Sequence, residues 1–224
     1  VQGGQLQASG QLIVTDVDIG EDHFIAQNNV AGSSGLGHFS LDATGAWTYT
    51  ADNTLTAIQQ LKAGESLTDS LSVASADGAT HTITVTIQGS NDAPVLAAQT
   101  QAVTEDGAQL QGRMVATDVD AGDTFVFSTA NAVDGFTLNV DGSYSFDPAR
   151  AAYQHLAAGQ SQDVVIPVTV TDSAGATSTQ NLTITVTGSN DGATIAGVNT
   201  GATVEDKPQA VTGQLTIADV DDGQ

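Results

Sequence analysis

Apolar and polar residues alternate with a period of two through much of this chain. Ile83, Val85 and Ile87 alternate with Thr82, Thr84 and Thr86. Leu182, Ile184 and Val186 repeat the pattern, and Val164, Ile166, Val168 and Val170 form another run. Successive strand side chains point to opposite faces, so this spacing predicts strands with one buried face. Pro167 lies inside the last run and cannot donate to a ladder, which predicts a sheet edge or a bulge there. Asp42-Ala43-Thr44-Gly45 and Asp141-Gly142 read as hairpin turns. Leu110–Ala116 reads as one extended strand. Only residues 54–62 and 150–158 look like single helical turns, crossing from one sheet to the other. Strand signals recur about every 8–12 residues, the spacing of a β-sandwich.

The whole pattern repeats. Thr15-Asp16-Val17-Asp18-Ile19-Gly20 returns as Thr117-Asp118-Val119-Asp120-Ala121-Gly122, and again as Ala218-Asp219-Val220-Asp221-Asp222-Gly223. Gly89-Ser90-Asn91-Asp92 returns as Gly188-Ser189-Asn190-Asp191. Phe39, Trp47 and Tyr49 correspond to Phe136, Tyr144 and Phe146, and Leu61 and Gly64 to Leu156 and Gly159. Landmarks in one order at a period of about 100 residues mark tandem domains. The expected division is 1–93, 94–191, and 192–224 as the N-terminal part of a third unit too short to bury a core of its own.

Charge sharpens this picture. There are 26 acidic residues against 4 basic ones, a net charge of −22. Nucleic acids and anionic membranes are gripped mainly through Lys and Arg, so the sequence argues against both as partners. There is no cysteine. A small domain without disulfides needs a sufficient core, or a metal in their place. No apolar stretch is long enough for a membrane helix, and residues 1–20 do not read as a signal peptide; the expectation is a soluble piece whose export signal lies elsewhere.

The acids are not scattered. Asp16/Asp18, Asp118/Asp120 and Asp219/Asp221 recur with Asn91/Asp92, Asn190/Asp191, Glu105/Asp106, Glu205/Asp206 and Asp172. These side chains offer oxygen ligands, and Ca²⁺ takes about 6–8 oxygens from carboxylates, amides, carbonyls and water. An Asp-x-Asp pair in a loop can aim two carboxylates at one ion; without the ion the pair repels itself. Asp-rich turns also form simply because Asp closes Asx-turns. Recurrence beside a second acidic tetrapeptide favours the ion.

Residues 10–94 resemble a VCBS repeat of bacterial surface proteins, through Gly10-Gln11-Leu12, Thr15–Asp18, Trp47-Thr48-Tyr49, Leu61…Ala63-Gly64-Glu65 and Gly89–Pro94. Residues 95–191 resemble the related bacterial cadherin-like repeat, through Val103-Thr104-Glu105-Asp106-Gly107 and Ala116–Asp120. The resemblance covers nearly the whole chain. It implies an all-β fold of tandem Greek-key β-sandwiches, cadherin- or immunoglobulin-like, arranged end to end. It also implies Ca²⁺ as cofactor, neighbouring repeats as partners, and an extracellular place on a type I-secreted RTX adhesin. Host or biofilm surface ligands would be met through other domains.

The cadherin resemblance further implies how ligands sort. Glu105 and Asp118 flank an extended strand, which at about 3.3 Å per residue separates them widely. Asp118, Asp120 and Asp172 are expected with Asn91 and Asp92, and Glu105 with Asn190, Asp191, Asp219 and Asp221. Asp16 and Asp18 are the first copy of the pair. Repeat 1 has no carboxylate near Gly3, where Glu105 would correspond, and has Ser75 for Asp172, so Asp77 is the expected substitute.

Other chemistry is poorly supported. His23, His38, His81 and His155 lack ligand spacing for zinc. Trp47, Tyr49, Tyr144 and Phe146 read as packing residues. Asn181-Leu182-Thr183 fits a glycosylation pattern but lies inside a strand. A glycosidase needs two carboxylates across a cleft, whereas these acids repeat at domain ends. No Gly-x-Ser-x-Gly, His-Glu-x-x-His or phosphate loop occurs, so an enzyme is not expected. Two classes remain: a calcium-stiffened spacer serving cell adhesion and biofilm formation, or a module whose own loops bind a glycan or protein. Near-duplicate units favour the spacer, and residues 28–37 are the clearest unit-specific loop.

Overall fold

The structure is a computed structural model describing residues 4–206 and 209–223. It divides into two compact units. The first comprises residues 1–94 with the loops Asp118–Thr124 and Asp172–Ala176; the second comprises Val95–Thr117, Phe125–Thr171 and Thr177–Gln224.

The first unit runs β1 (Gln5–Gln11), β2 (Gln27–Ala31), β3 (Gly37–Leu41), β4 (Ala46–Asp52), α1 (Thr56–Gln59), β5 (Ser66–Ala74) and β6 (Thr80–Gln88). Strands β1-β4-β3-β2 form an antiparallel sheet in Greek-key order, and β5-β6 form a hairpin. The two layers enclose Phe39, Leu41, Tyr49, Leu71, Val73, Ile83, Val85 and Ile87. Ile58 of α1 and Leu61 close one side of this core. The Thr/Ile/Val alternation thus buries Ile83, Val85 and Ile87 and leaves the intervening threonines exposed.

The second unit runs β7 (Val95–Leu96), β8 (Gln99–Thr104), β9 (Leu110–Arg113), β10 (Ala116–Thr117), β11 (Val126–Ser128), β12 (Phe136–Leu138), β13 (Ser143–Phe146), β14 (Ser161–Thr171) and β15 (Thr177–Thr187). One sheet is β11-β14-β15-β8, with β8 parallel to β15, and the other is β12-β13-β9. Tyr144, Phe146, Met114, Ile166, Val168, Val170, Leu182, Ile184 and Val186 are packed between them. Pro167 pairs opposite Asn181 on one side, while β11 reaches only Ser128↔Thr169 on the other. That side of β14 is open at Pro167, so the missing N–H costs no ladder bond and no bulge is required. β16 (Thr194–Gly197) and β17 (Leu215–Ala218) form a final hairpin whose residues are all exposed.

Three local expectations change. Leu110–Ala116 is not one strand: β9 pairs with β13, and β10 pairs with β7 in another sheet. The chain switches sheets at Met114, which is fully buried and donates its N–H to the Gly142 carbonyl at 2.9 Å. Residues 150–158 form two linked i→i+3 turns (Tyr153 N–H to Arg150 O, Leu156 N–H to Tyr153 O) in place of a single helical turn. Residues 28–31 lie in β2, so the unit-specific loop is only residues 32–36.

That short loop is held from inside. Asp69 has no exposure and sits on β5 at the inward register of Leu71 and Val73. It accepts hydrogen bonds from Ser34 N–H (2.9 Å), Gly37 N–H (3.0 Å), Ser70 N–H (3.0 Å) and the Tyr49 hydroxyl (3.2 Å). A Cβ on Gly32 would lie 2.1 Å from Asp69 Oδ1, so only glycine lets the loop approach this closely. Burial and the neighbouring Asp69 push the Tyr49 phenol up to about 12, keeping it a neutral donor.

Candidate metal centres

The recurring acids gather into two cages built to one plan. In the first, Asp120 N–H bonds to Asp118 Oδ1 at 3.0 Å, closing the Asp-x-Asp segment on itself. Asp92 N–H bonds to Asp120 Oδ2 at 2.9 Å, and the Asn91 amide donates to the Asp92 carbonyl at 2.6 Å. In the second, Asp221 N–H bonds to Asp219 Oδ1 at 3.0 Å, Asp191 N–H to Asp221 Oδ2 at 3.0 Å, and the Asn190 amide to the Asp191 carbonyl at 2.6 Å. The Asx-turn reading and the ion reading therefore do not exclude each other. One oxygen of each pair shapes the loop, leaving another to face a ligand.

The remaining oxygens decide the chemistry. Asp118, Asp120 and Asp123 bring carboxylate oxygens within 4.8 Å of one another, and so do Glu105, Asp191 and Asp221. Asp118 Oδ2, Asp120 Oδ1 and Asp123 Oδ2 are buried without a hydrogen-bond partner, as are Glu105 Oε2, Asp191 Oδ2 and Asp221 Oδ1. Asp120, Asp221 and Glu105 are only 3%, 4% and 1% exposed. A buried, unpaired carboxylate oxygen is costly, and three facing one another are worse. Each cage could hold a metal ion, and an all-oxygen donor set suits a hard divalent cation. Burial, with repulsion from Asp118, Asp92 and Asp123, holds the Asp120 carboxyl above its ordinary value. Burial and repulsion from Asp106, Asp221 and Asp219 do the same for Asp191.

The flanking contacts differ. Asp172 joins the first cage: its Oδ2 accepts the Asn91 amide at 2.9 Å and its Oδ1 the N–H groups of Ala174 and Ala176. The Asn91 amide and these backbone donors hold its carboxyl below the ordinary range. Glu105 joins the second cage, its Oε1 accepting Ser189 N–H at 2.6 Å. Asp106 beside it has φ of 59°, a left-handed turn that ends β8.

The other expected residues stand apart. Asp16 and Asp18 group with Glu21, but none of the three carries a buried unpartnered oxygen. Asp77 enters none of the three acidic groups found among the described residues; it accepts from the Ser75 hydroxyl and from Ala79 N–H. Asp77 stays exposed, and these bonds close its own β5–β6 turn. The gap near Gly3 lies outside the described residues. Asp123 and Glu21 join these groups beyond the Asp-x-Asp pairs, each following the Gly of its Asp-x-Asp-x-Gly segment.

A family model described as a bacterial cadherin-like domain matches residues 1–89 and again 91–188. The chain belongs to the bacterial cadherin-like domain family. Bacterial cadherin-like domains are adhesion or extender modules, typically non-enzymatic, that occur in tandem arrays, generally bind Ca²⁺ and are extracellular. Solved structures similar to this cadherin-like chain include protocadherin gamma B7 extracellular cadherin domains 1–4 (18% identity, TM-score 0.49), covering 100% of this chain and 56% of that one. PcdhgB3 EC1-4 gives 14% identity and a TM-score of 0.46 over 98% and 50% of the two chains. Mouse clustered PcdhgC3 EC1-3 gives 15% and 0.44 over 85% and 63%. This chain thus spans a little over half the length of the first of these. No curated protein matches it. Among the described residues, no helix is long and apolar enough to cross a membrane.

Proposed function

We propose that this chain is a calcium-rigidified extender of a bacterial cell-surface adhesin, presenting distal adhesive domains for cell adhesion and biofilm formation. The observation that carries this reading is the pair of acidic cages, each with three buried carboxylate oxygens left unpartnered. Calcium would be held by Asp118, Asp120, Asp123, Asp172, Asn91 and Asp92 in one cage, and by Glu105, Asn190, Asp191, Asp219 and Asp221 in the other. The ion supplies the positive charge that lets these carboxylates stay ionised side by side. The chain's own part is to hold linker and loops in register: Asn91 and Asn190 fix the linker backbone, and the Asp-x-Asp turns fix the loops. Residues 90–94 and 189–193 would be free to swing without this clamp, so the same contacts that bind the ion would stiffen the linkers.

Calorimetric calcium titration of the whole chain tests the assignment. Asp120→Asn is expected to weaken binding at its cage by about tenfold or more, while the other cage keeps its affinity. His81→Ala and His155→Ala are expected to leave both unchanged, since neither histidine enters an acidic cage. Equal losses from the histidine variants would point to another metal and other ligands.

A further inference from the structure

The two cages share one backbone plan but not one charge. Lys62 reaches the first: its Nζ lies 2.8 Å from Asp123 Oδ1, and the Asp123 side chain is only 1% exposed. The Ser173 hydroxyl donates to the same oxygen at 2.6 Å, which fixes the carboxylate facing the ammonium. The ammonium is therefore seated directly on a carboxylate of the cage.

The second cage has an alanine at this place. Gly89 packs against the carbonyls of Leu61 and Lys62 as Gly188 packs against those of Leu156 and Ala157. Ala121 N–H bonds to the Gln60 carbonyl as Asp222 N–H bonds to that of His155. Both anchors equate Lys62 with Ala157, which is buried and carries no charge. The other ion pair among the described residues, Arg150–Asp147, touches neither cage. Among the described residues, one cage thus meets a cation supplied by the chain, and the other meets none.

We propose that Lys62 is a tethered cation in the Asp118/Asp120/Asp123 cage, standing in for part of its calcium. This rests on the calcium reading above. The ammonium neutralises part of the acidic charge and repels an incoming divalent ion, so this cage binds calcium more weakly than the Glu105/Asp191/Asp221 cage. It also keeps more of its order when calcium is scarce. The two cages would then empty at different calcium concentrations, and in chelator the first would keep part, not all, of its bracing.

Lys62→Met in the full chain tests this, with Lys62→Arg as the charge-retaining control. Asp120→Asn identifies which titration step belongs to the first cage. Lys62→Met is expected to tighten that step about tenfold, because a unit charge within a few ångströms has been removed. It is also expected to lower the melting temperature in chelator, while Lys62→Arg stays near the parent in both assays. Calcium binding by parent and Lys62→Met at the same affinity would overturn the proposal alone. Absence of calcium binding by both proteins would overturn the calcium reading, and this proposal with it.

Discussion

In about 10 mM calcium the chain is expected to melt roughly 10 °C higher than in excess chelator at matched ionic strength. Extracellular calcium modules bind with Kd of about 10⁻⁴–10⁻³ M, and calcium at about ten times Kd stabilises the folded state by about 1.4 kcal/mol per site. Each cage lies in one of the two units, so each unit gains about 1.4 kcal/mol and, at roughly 4–8 °C per kcal/mol for a domain of about 100 residues, melts roughly 6–11 °C higher. Matched salt matters because a net charge of −22 would respond to screening alone. The increment has a definite pH dependence. Asp120 and Asp191 have carboxyls held above their ordinary value, so without calcium the folded state binds more protons than the unfolded state just above that value. The chelated protein therefore gains stability from these two groups as pH falls into that window, while protons displace calcium and the increment shrinks. Asp172 runs the opposite way: its carboxyl is lowered, and the stability it contributes is lost only as pH falls below the ordinary carboxylate range. Differential scanning calorimetry at pH 7 and in mild acid, with and without calcium, reads both effects. Superimposable curves at pH 7 would remove calcium from the account.

Asp69→Ala is expected to destabilise the first unit by about 3–5 kcal/mol, independently of calcium. The substitution strands the N–H of Gly37, that of Ser34 and the Tyr49 hydroxyl around a void, and each buried unsatisfied donor costs about 1–3 kcal/mol. Tyr49→Phe removes one of these bonds while leaving the carboxylate three donors, so it should cost about 1 kcal/mol. Chemical unfolding monitored by the fluorescence of Trp47, the only tryptophan, reports on this unit selectively. A loss from Asp69→Ala no larger than that from Tyr49→Phe would mean that the loop, not the carboxylate, holds itself in place. The effect also bears on the alternative of a ligand-gripping loop at residues 28–37. Five of those residues are strand, and the loop between them is tied to the core through Asp69, so this hairpin is built to stay in one conformation.

Where local chemistry decides structure, the chain is readable. Alternation of Ile or Val with Thr settles which faces of β6 and β15 are buried, because a strand with one wet face admits only one register. The repeated Asp-x-Asp and Asn-Asp strings meet in space because each unit returns its strands to the same two ends. Asp123 was legible in principle, as an acid after the glycine in two copies of one segment. So was Asp69: it interrupts the inward series Leu67, Leu71, Val73, where a polar residue must find buried partners. Lys62 was not legible, since nothing local marks a lysine whose partner lies 61 positions further along the chain. Asp77 shows the converse limit. Its position matched, but a hydroxyl two residues away captured its carboxylate. Leu110–Ala116 has strand composition throughout, and only the tertiary position of Met114 splits it between sheets.

Small-angle scattering of the full chain in calcium and in chelator tests the extender claim most directly. If the cages clamp linker to loops, the ion should hold the repeats stiff and extended. Its removal should release several like charges at one place, adding repulsion to lost coordination. A narrow distribution of interdomain distances is expected in about 10 mM calcium and a broad one in chelator. Distributions equally broad in both conditions would contradict the extender claim.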